Sequence, residues 1–168
     1  MLDRSVLVIG AGPLPELLMA RGCTTLAEAL GLPLRTVNVG EAPDPWLRGQ
    51  EGSSPALIRL CGDPGRIGSD GCSWMDALGA WRVPTLVLAM TGDDGAVPGI
   101  IPATVALCDA RRVPVKALLQ LGGRWNRSER LRDGLPWTGW LSDQNPEGLD
   151  PVVALLRGQV AVSTPAQF

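Results

Sequence analysis

The chain has no histidine and no tyrosine, and its 168 residues include a single lysine, Lys116, and a single phenylalanine, Phe168. General acid–base catalysis draws first on histidine, then on carboxylates, lysine, tyrosine and cysteine. What remains for chemistry is carboxylates, thiols, hydroxyls and backbone amides, with Lys116 inside an apolar run that reads as a buried strand. The lack of histidine also removes mixed Cys/His metal sites. Cys23, Cys61, Cys72 and Cys108 form no C-x-x-C pair and match no zinc spacing, so they read as reduced, partly buried small hydrophobes. No metal and no cofactor is expected. Charge is scarce too: charged residues make up 19% and the net charge is −2. That excludes a global pull toward nucleic acid or an anionic membrane surface. No apolar run approaches the ~20 residues of a membrane span. The first apolar run, at residues 5–9, is too short for a signal-peptide core. A soluble, cytoplasmic protein is expected.

What the chain does have is apolar bulk and punctuation. Hydrophobic residues make up 45%, with 21 glycines and 15 prolines, which fits a globular chain with many short connections rather than a disordered one. Six short runs read as strands, at residues 6–9, 34–39, 56–60, 85–89, 115–121 and 138–141. Several are continuously apolar, as strands covered on both faces are. Helices fall between them. Thr25 and Glu28 are spaced as a capping box, with Gly31 as the stop. Asn126 to Glu129 repeats that spacing before Gly134, and Asn145-Pro146 opens a last helix that Gly158 would end. A helix at residues 100–112 between two strong strands implies a parallel crossover. Together these predict one α/β domain over residues 1–162, three layers (α/β/α) around a mostly parallel sheet of about six strands, with 163–168 a loose tail. Residues 41–54 and 62–73 read as surface loops, Trp46 being the only anchor of the first. Trp74 and Trp81, seven apart on one helical segment, read as core.

Ligands of open α/β sheets sit beyond the carboxyl ends of the strands. That rule selects four loops as candidate ligand-binding segments: Gly10, Ala11 and Gly12; Gly62 and Asp63; Gly92, Asp93 and Asp94; and Gly122. Gly10-Ala11-Gly12 begins like a dinucleotide fingerprint, but Pro15 occupies the third glycine's place and no acidic residue ends the second strand. The phosphate-loop pattern G-x-x-x-x-G-K-[ST] is absent. Asp93-Asp94 has the chemistry to hold Mg²⁺ and equally that of a solvated turn. Six arginines lie between residues 111 and 132. Arg124, Trp125 and Arg127 there are candidates for a partner-binding or anion-binding patch, with a solvated helix face as the plainer reading.

The order of features from Pro55 to about Leu156 resembles the later two-thirds of dethiobiotin synthetase and its P-loop relatives. PALIRLCGDPGRIGSDGCSWMDALGAWRVPTLVLAM is similar to that family's strand, Gly-rich loop, short helix and next strand. TGDDGAVPGIIPATVALCDARRVPVKALLQLGG is similar to its loop, long helix and following strand, and LPWTGWLSDQNP to its terminal strand. The resemblance implies a phosphate loop with lysine after the first strand, where Gly-Ala-Gly-Pro stands. It implies an acidic residue where Cys61 stands, with Asp63 nearby, and an adenine-reading asparagine where Leu121 or Gly122 stands. A degenerate, non-catalytic relative follows, binding a small anionic ligand or a protein partner, and dimeric as the family is. The alternative is a diverged, metal-assisted ligase-like or transferase-like enzyme using the glycine loops with Asp63, Asp93 and Asp94.

Overall fold

A computed structural model describes residues 5–141 and 146–161. The elements run β1 (Val6–Gly10), α1 (Glu16–Leu30), β2 (Leu34–Asn38), α2 (Pro43–Gly49), β3 (Leu57–Cys61), α3 (Trp74–Ala80), β4 (Thr85–Ala89), α4 (Ile100–Ala110), β5 (Val115–Leu121), α5 (Arg127–Arg132), β6 (Trp137–Leu141), a 3-10 turn (Pro146–Leu149) and α6 (Asp150–Ala161). Six strands form one sheet in the order β2-β3-β1-β4-β5-β6, and every pairing is parallel. The dinucleotide-binding order 3-2-1-4-5-6 differs by the exchange of β2 and β3.

Burial splits into two cores, one on each face of the sheet. Met19, Cys23 and Leu26 of α1 share one with Val152 and Leu156 of α6, while Leu47 of α2, Trp74 and Leu78 of α3 and Ile101 and Cys108 of α4 build the other. This is what right-handed crossovers require. The chain leaves β1 toward β2 in one direction, and leaves β2, β3 and β4 in the other. Three layers result, as the strand and helix pattern predicts.

Proline explains how the helices hand over to the strands. Four times a residue with positive φ is followed by a hydrophobe and a proline, and then a strand begins: Gly31-Leu32-Pro33, Arg82-Val83-Pro84, Arg112-Val113-Pro114 and Gly134-Leu135-Pro136. In the first three the hydrophobe's N–H returns to the helix, from Leu32 to Ala27 O, Val83 to Leu78 O and Val113 to Cys108 O. These are Schellman closures. Each of those three prolines then offers its carbonyl to the neighbouring strand, to Leu57, Leu7 and Thr85. Proline at a strand's first position loses no ladder bond.

Several expectations need correction. Thr25 and Glu28 do not start a helix; α1 starts at Glu16 behind Pro15, with no side-chain cap. The buried set Met19, Gly22, Cys23, Leu26 and Ala27 keeps helical spacing straight through Thr24-Thr25, and packing overrides the local capping signal. Residues 41–54 hold α2, opened by Pro43 and anchored by fully buried Leu47. Trp46 packs edge-on to Trp74 at 5.7 Å. Trp81 is half-buried and donates Nε1–H to Asp44 at 2.8 Å, whereas Trp74 is core. Gly158 lies inside α6. Asn145 and the tail 163–168 fall outside the described residues.

The N-terminus of α3 shows a complete capping box. Ser73 Oγ accepts from Asp76 N–H at 3.1 Å, while the Ser73 hydroxyl and N–H donate to Asp76 Oδ2 at 2.6 and 3.1 Å. The hydroxyl bond, chiefly, then the Ser73 N–H and the Arg111 charge, hold the Asp76 carboxyl below its ordinary 3.8 despite partial desolvation. A depressed carboxyl adds stability above its unfolded pKa and loses it as pH falls through the folded value. Ser73→Ala is therefore expected to cost about 1 kcal/mol at neutral pH, with the gap to wild type shrinking below pH 3.8. Urea unfolding from pH 7 to 2 checks this.

Candidate functional site

The chain leaves β1 toward one face of the sheet and both its neighbours, β3 and β4, toward the other, so the crevice at the carboxyl ends of β1 and β3 is a topological switch point, as is the one between β1 and β4. A cleft of about 190 Å³ opens there, lined by Gly10, Gly12, Pro13, Leu14, Glu16, Met19, Leu60, Cys61, Gly62 and Asp63. Four of the sequence candidates, Gly10, Gly12, Gly62 and Asp63, thus meet in one place. Ala11 does not join them: it is buried at 3% exposure, and its N–H prolongs the β1–β4 ladder to Leu88 O at 2.8 Å.

The glycines are required by close approach. Gly12 has φ +79°, and a Cβ there would lie 2.7 Å from Ile100 Cγ1 at the start of α4. Gly62 has φ +106°, and its Cβ would lie 2.7 Å from Val39 Cγ2. Asp63 Oδ1 accepts the Gly65 N–H at 2.9 Å and so makes an Asx turn.

Glu16 is the residue sequence reasoning missed. Its Oε1 lies 2.7 Å from Nη1 of Arg59, whose side chain is 13% exposed, and 4.0 Å from Cys61 Sγ. Arg59 Nε is covered and has no hydrogen-bond partner. Burial pushes the Cys61 thiol up and the Cys23 thiol up to about 12, against the lowering pull of Arg59. Both thiols are neutral at physiological pH. The signal was in the count: G-x-x-x-x-G-K read from Gly10 sets Pro15 in the second glycine's place and Glu16 in the lysine's. The only lysine, Lys116, is the second residue of β5. In a parallel sheet that is the opposite end from the cleft. The lining brings together two carboxylates, Asp63 and Glu16, the second of them paired with Arg59 from behind the wall, and among the described residues no lysine or arginine lines the cleft itself.

The remaining candidates gather at the ends of β4 and β5. Gly92 and Gly122-Gly123 adjoin there, and a Cβ on Gly123 would lie 3.3 Å from Thr91 Oγ1. Asp94 Oδ1 accepts the Ala96 N–H at 3.0 Å, another Asx turn. Among the described residues no group of three or more acidic or cysteine side chains is placed to hold a metal ion. Trp125 stacks on Trp140 at 4.9 Å and meets Trp137 edge-on at 6.4 Å. The two partners face the same side because a bulge offsets β6: Trp137 pairs with Leu118, and Trp140 with Gln120. Arg124 and Arg127 are exposed. Arg130 is 5% exposed, donates to Gly95 O at 2.5 Å and lies over Trp137. The patch is therefore a clamped tryptophan cluster flanked by two exposed arginines.

No protein-family model matches this chain, and neither does any curated protein. Among the described residues no helix is long and apolar enough to cross a membrane.

Proposed function

We propose that the chain is a degenerate, dethiobiotin-synthetase-like protein of P-loop type, a cytoplasmic module that binds a small molecule in the β1–β3 cleft without transferring phosphoryl groups. One observation carries this reading: the loop from Gly10 to α1 sets Pro15 and Glu16 where a phosphate loop needs glycine and lysine. A lysine there holds the β- and γ-phosphates. Glu16 has the opposite charge, and its nearest cation, Arg59, is already paired with it at 2.7 Å. Pro15 lacks the N–H through which such loops cradle phosphate. The metal-assisted alternative is less well supported, since Asp63 and Asp94 each spend an oxygen on a local turn. Dimerisation and a protein partner on Arg124, Trp125 and Arg127 belong to the same proposal and rest on the family resemblance and on those exposed arginines.

Titration of the purified chain with MgATP, with phosphate release followed in parallel, checks this. The expected result is no saturable heat up to millimolar nucleotide and no release above buffer. Saturable binding with a micromolar or tighter Kd, or measurable hydrolysis, would overturn it.

A further inference from the structure

We propose, resting on the reading of Arg124, Trp125 and Arg127 as a partner surface, that the partner presents an acidic peptide segment with an apolar side chain among its carboxylates. The fold sorts the charge on this surface. Arg130 points inward, 5% exposed, with its guanidinium over Trp137. At 3.6 residues per turn, Arg127, Leu131, Ser128 and Arg132 fall in that order around the opposite side of α5, and all four are exposed. Both acids of the segment are engaged elsewhere. Glu129 Oε1 accepts the Asn126 Nδ2–H at 2.8 Å, and Glu129 Oε2 lies 3.8 Å from Arg130. Asp133 faces Arg130 Nε at 3.5 Å and accepts from Trp137 and Leu135. Arg124, Arg127 and Arg132 have no ion pair among the described residues. A local cationic arc thus stands on a chain whose net charge is −2.

Leu131 sets the second requirement. At 74% exposed it is the most exposed large hydrophobic side chain among the described residues, and it sits between Arg127 and Arg132 on that arc. A ligand made only of carboxylates leaves it in water. An acidic peptide with an apolar side chain covers it while the carboxylates meet the guanidiniums. The frame beneath is fixed before docking. A six-residue helix does not hold by itself, yet Asn126 Oδ1 caps α5 by accepting the Ser128 and Glu129 N–H at 3.0 and 3.3 Å. The Arg124 carbonyl accepts from Gln120 Nε2 at 3.3 Å, and Trp125 is stacked on Trp140. Such prior order lowers the cost of association. An anionic membrane surface fits less well. It calls for about four to eight clustered cations or a broad apolar helix face, and here three arginines surround one leucine.

The test titrates the full chain at neutral pH, with amide NMR detection, against acetyl-Glu-Glu-Leu-Glu-Glu-amide. Comparison probes are the same peptide with Gly for Leu, the same peptide with Lys for Glu, and phosphatidylserine vesicles. The acidic leucine peptide is expected to saturate with shifts at Arg124, Arg127, Leu131 and Arg132, and to weaken severalfold in about 0.5 M salt. The glycine peptide should bind about fivefold more weakly, as a partly covered leucine implies, and Leu131→Ala should weaken the leucine peptide to a similar extent. Arg127→Glu should weaken it about tenfold. Arg66→Glu, which reverses an exposed arginine in another loop, should leave it unchanged. Equal losses in those two variants, or equal affinity for the leucine and glycine peptides, would overturn the proposal. Preferential binding of the lysine peptide or of the vesicles would overturn the acidic-peptide assignment while leaving the surface as a docking site. No shift with any probe would remove both the assignment and the partner surface.

Discussion

Gly79→Ala is expected to destabilise the protein by about 3 kcal/mol or more, at the upper end of overpacking effects. Gly79 is buried on α3 where that helix crosses the end of α4, and a Cβ there would overlap the carbonyl oxygen of Arg111. The obstacle is backbone, so no rotamer relieves it. Neither side is free to retreat. Arg111 N–H is bonded to Leu107 O and Val113 N–H to Cys108 O, while Arg111 is paired with Asp76 of α3 at 3.1 Å. Moving α3 outward would instead pull Trp74, Met75 and Leu78 from the core. Gly31→Ala is the matching control. Unlike helical Gly79, it has a positive φ, +66°, and no atom lies within 4 Å of its Cβ, so only backbone strain of about 1 kcal/mol is expected. Urea midpoints of the two variants separate packing from strain; equal shifts would show that the α3–α4 contact yields.

Arg130→Met is the second large effect, expected at about 2–3 kcal/mol. The guanidinium ties three segments together: it donates to Gly95 O in the β4–α4 loop, lies 3.5 Å from Asp133 Oδ2 and sits 5.4 Å from the Trp137 ring centroid. Methionine fills much of the volume, so the loss comes from what is left behind. The Gly95 carbonyl loses its donor, and Asp133, whose side chain is 18% exposed, loses its cation. Asp133 retains Trp137 Nε1–H at 2.9 Å and Leu135 N–H at 3.0 Å, which keeps the cost below that of a fully orphaned buried charge. Adding Asp133→Asn should recover part of the loss. A double-mutant cycle in urea measures the coupling, and strictly additive losses would show that the pair is not an interacting unit.

The layers were legible because short, continuously apolar runs such as Val6 to Ile9 and Leu86 to Ala89 leave no polar face for a strand to expose. A side-chain cap marks one helix start and misleads on another, while the start of α4 at Ile100 is read with no side-chain cap at all. Asn126 does cap α5, through Ser128 and Glu129 N–H, but α1 starts on Pro15 without a cap, and the Thr25–Glu28 spacing pointed to the wrong turn. Strand order is not legible from local pattern, since β3 inserts between β2 and β1 through contacts distant in sequence. The same order decided the site. It brings the Gly10 loop beside Gly62 and Asp63, and leaves Gly92 and Gly122 for a second cluster. Glu16 could have been found by counting six residues from Gly10, but its partner Arg59 lies 43 positions further on, in the middle of a strand that reads as purely structural. The bulge that turns Trp137 and Trp140 to one face has no sequence signal we can identify.

The most direct measurement is an amide NMR titration of the full chain with MgATP, following Gly10 to Leu17. With Pro15 and Glu16 in place of the phosphate-binding glycine and lysine, those amides should keep their positions up to millimolar nucleotide. Saturable shifts confined to that loop, with a micromolar or tighter Kd, would contradict the account.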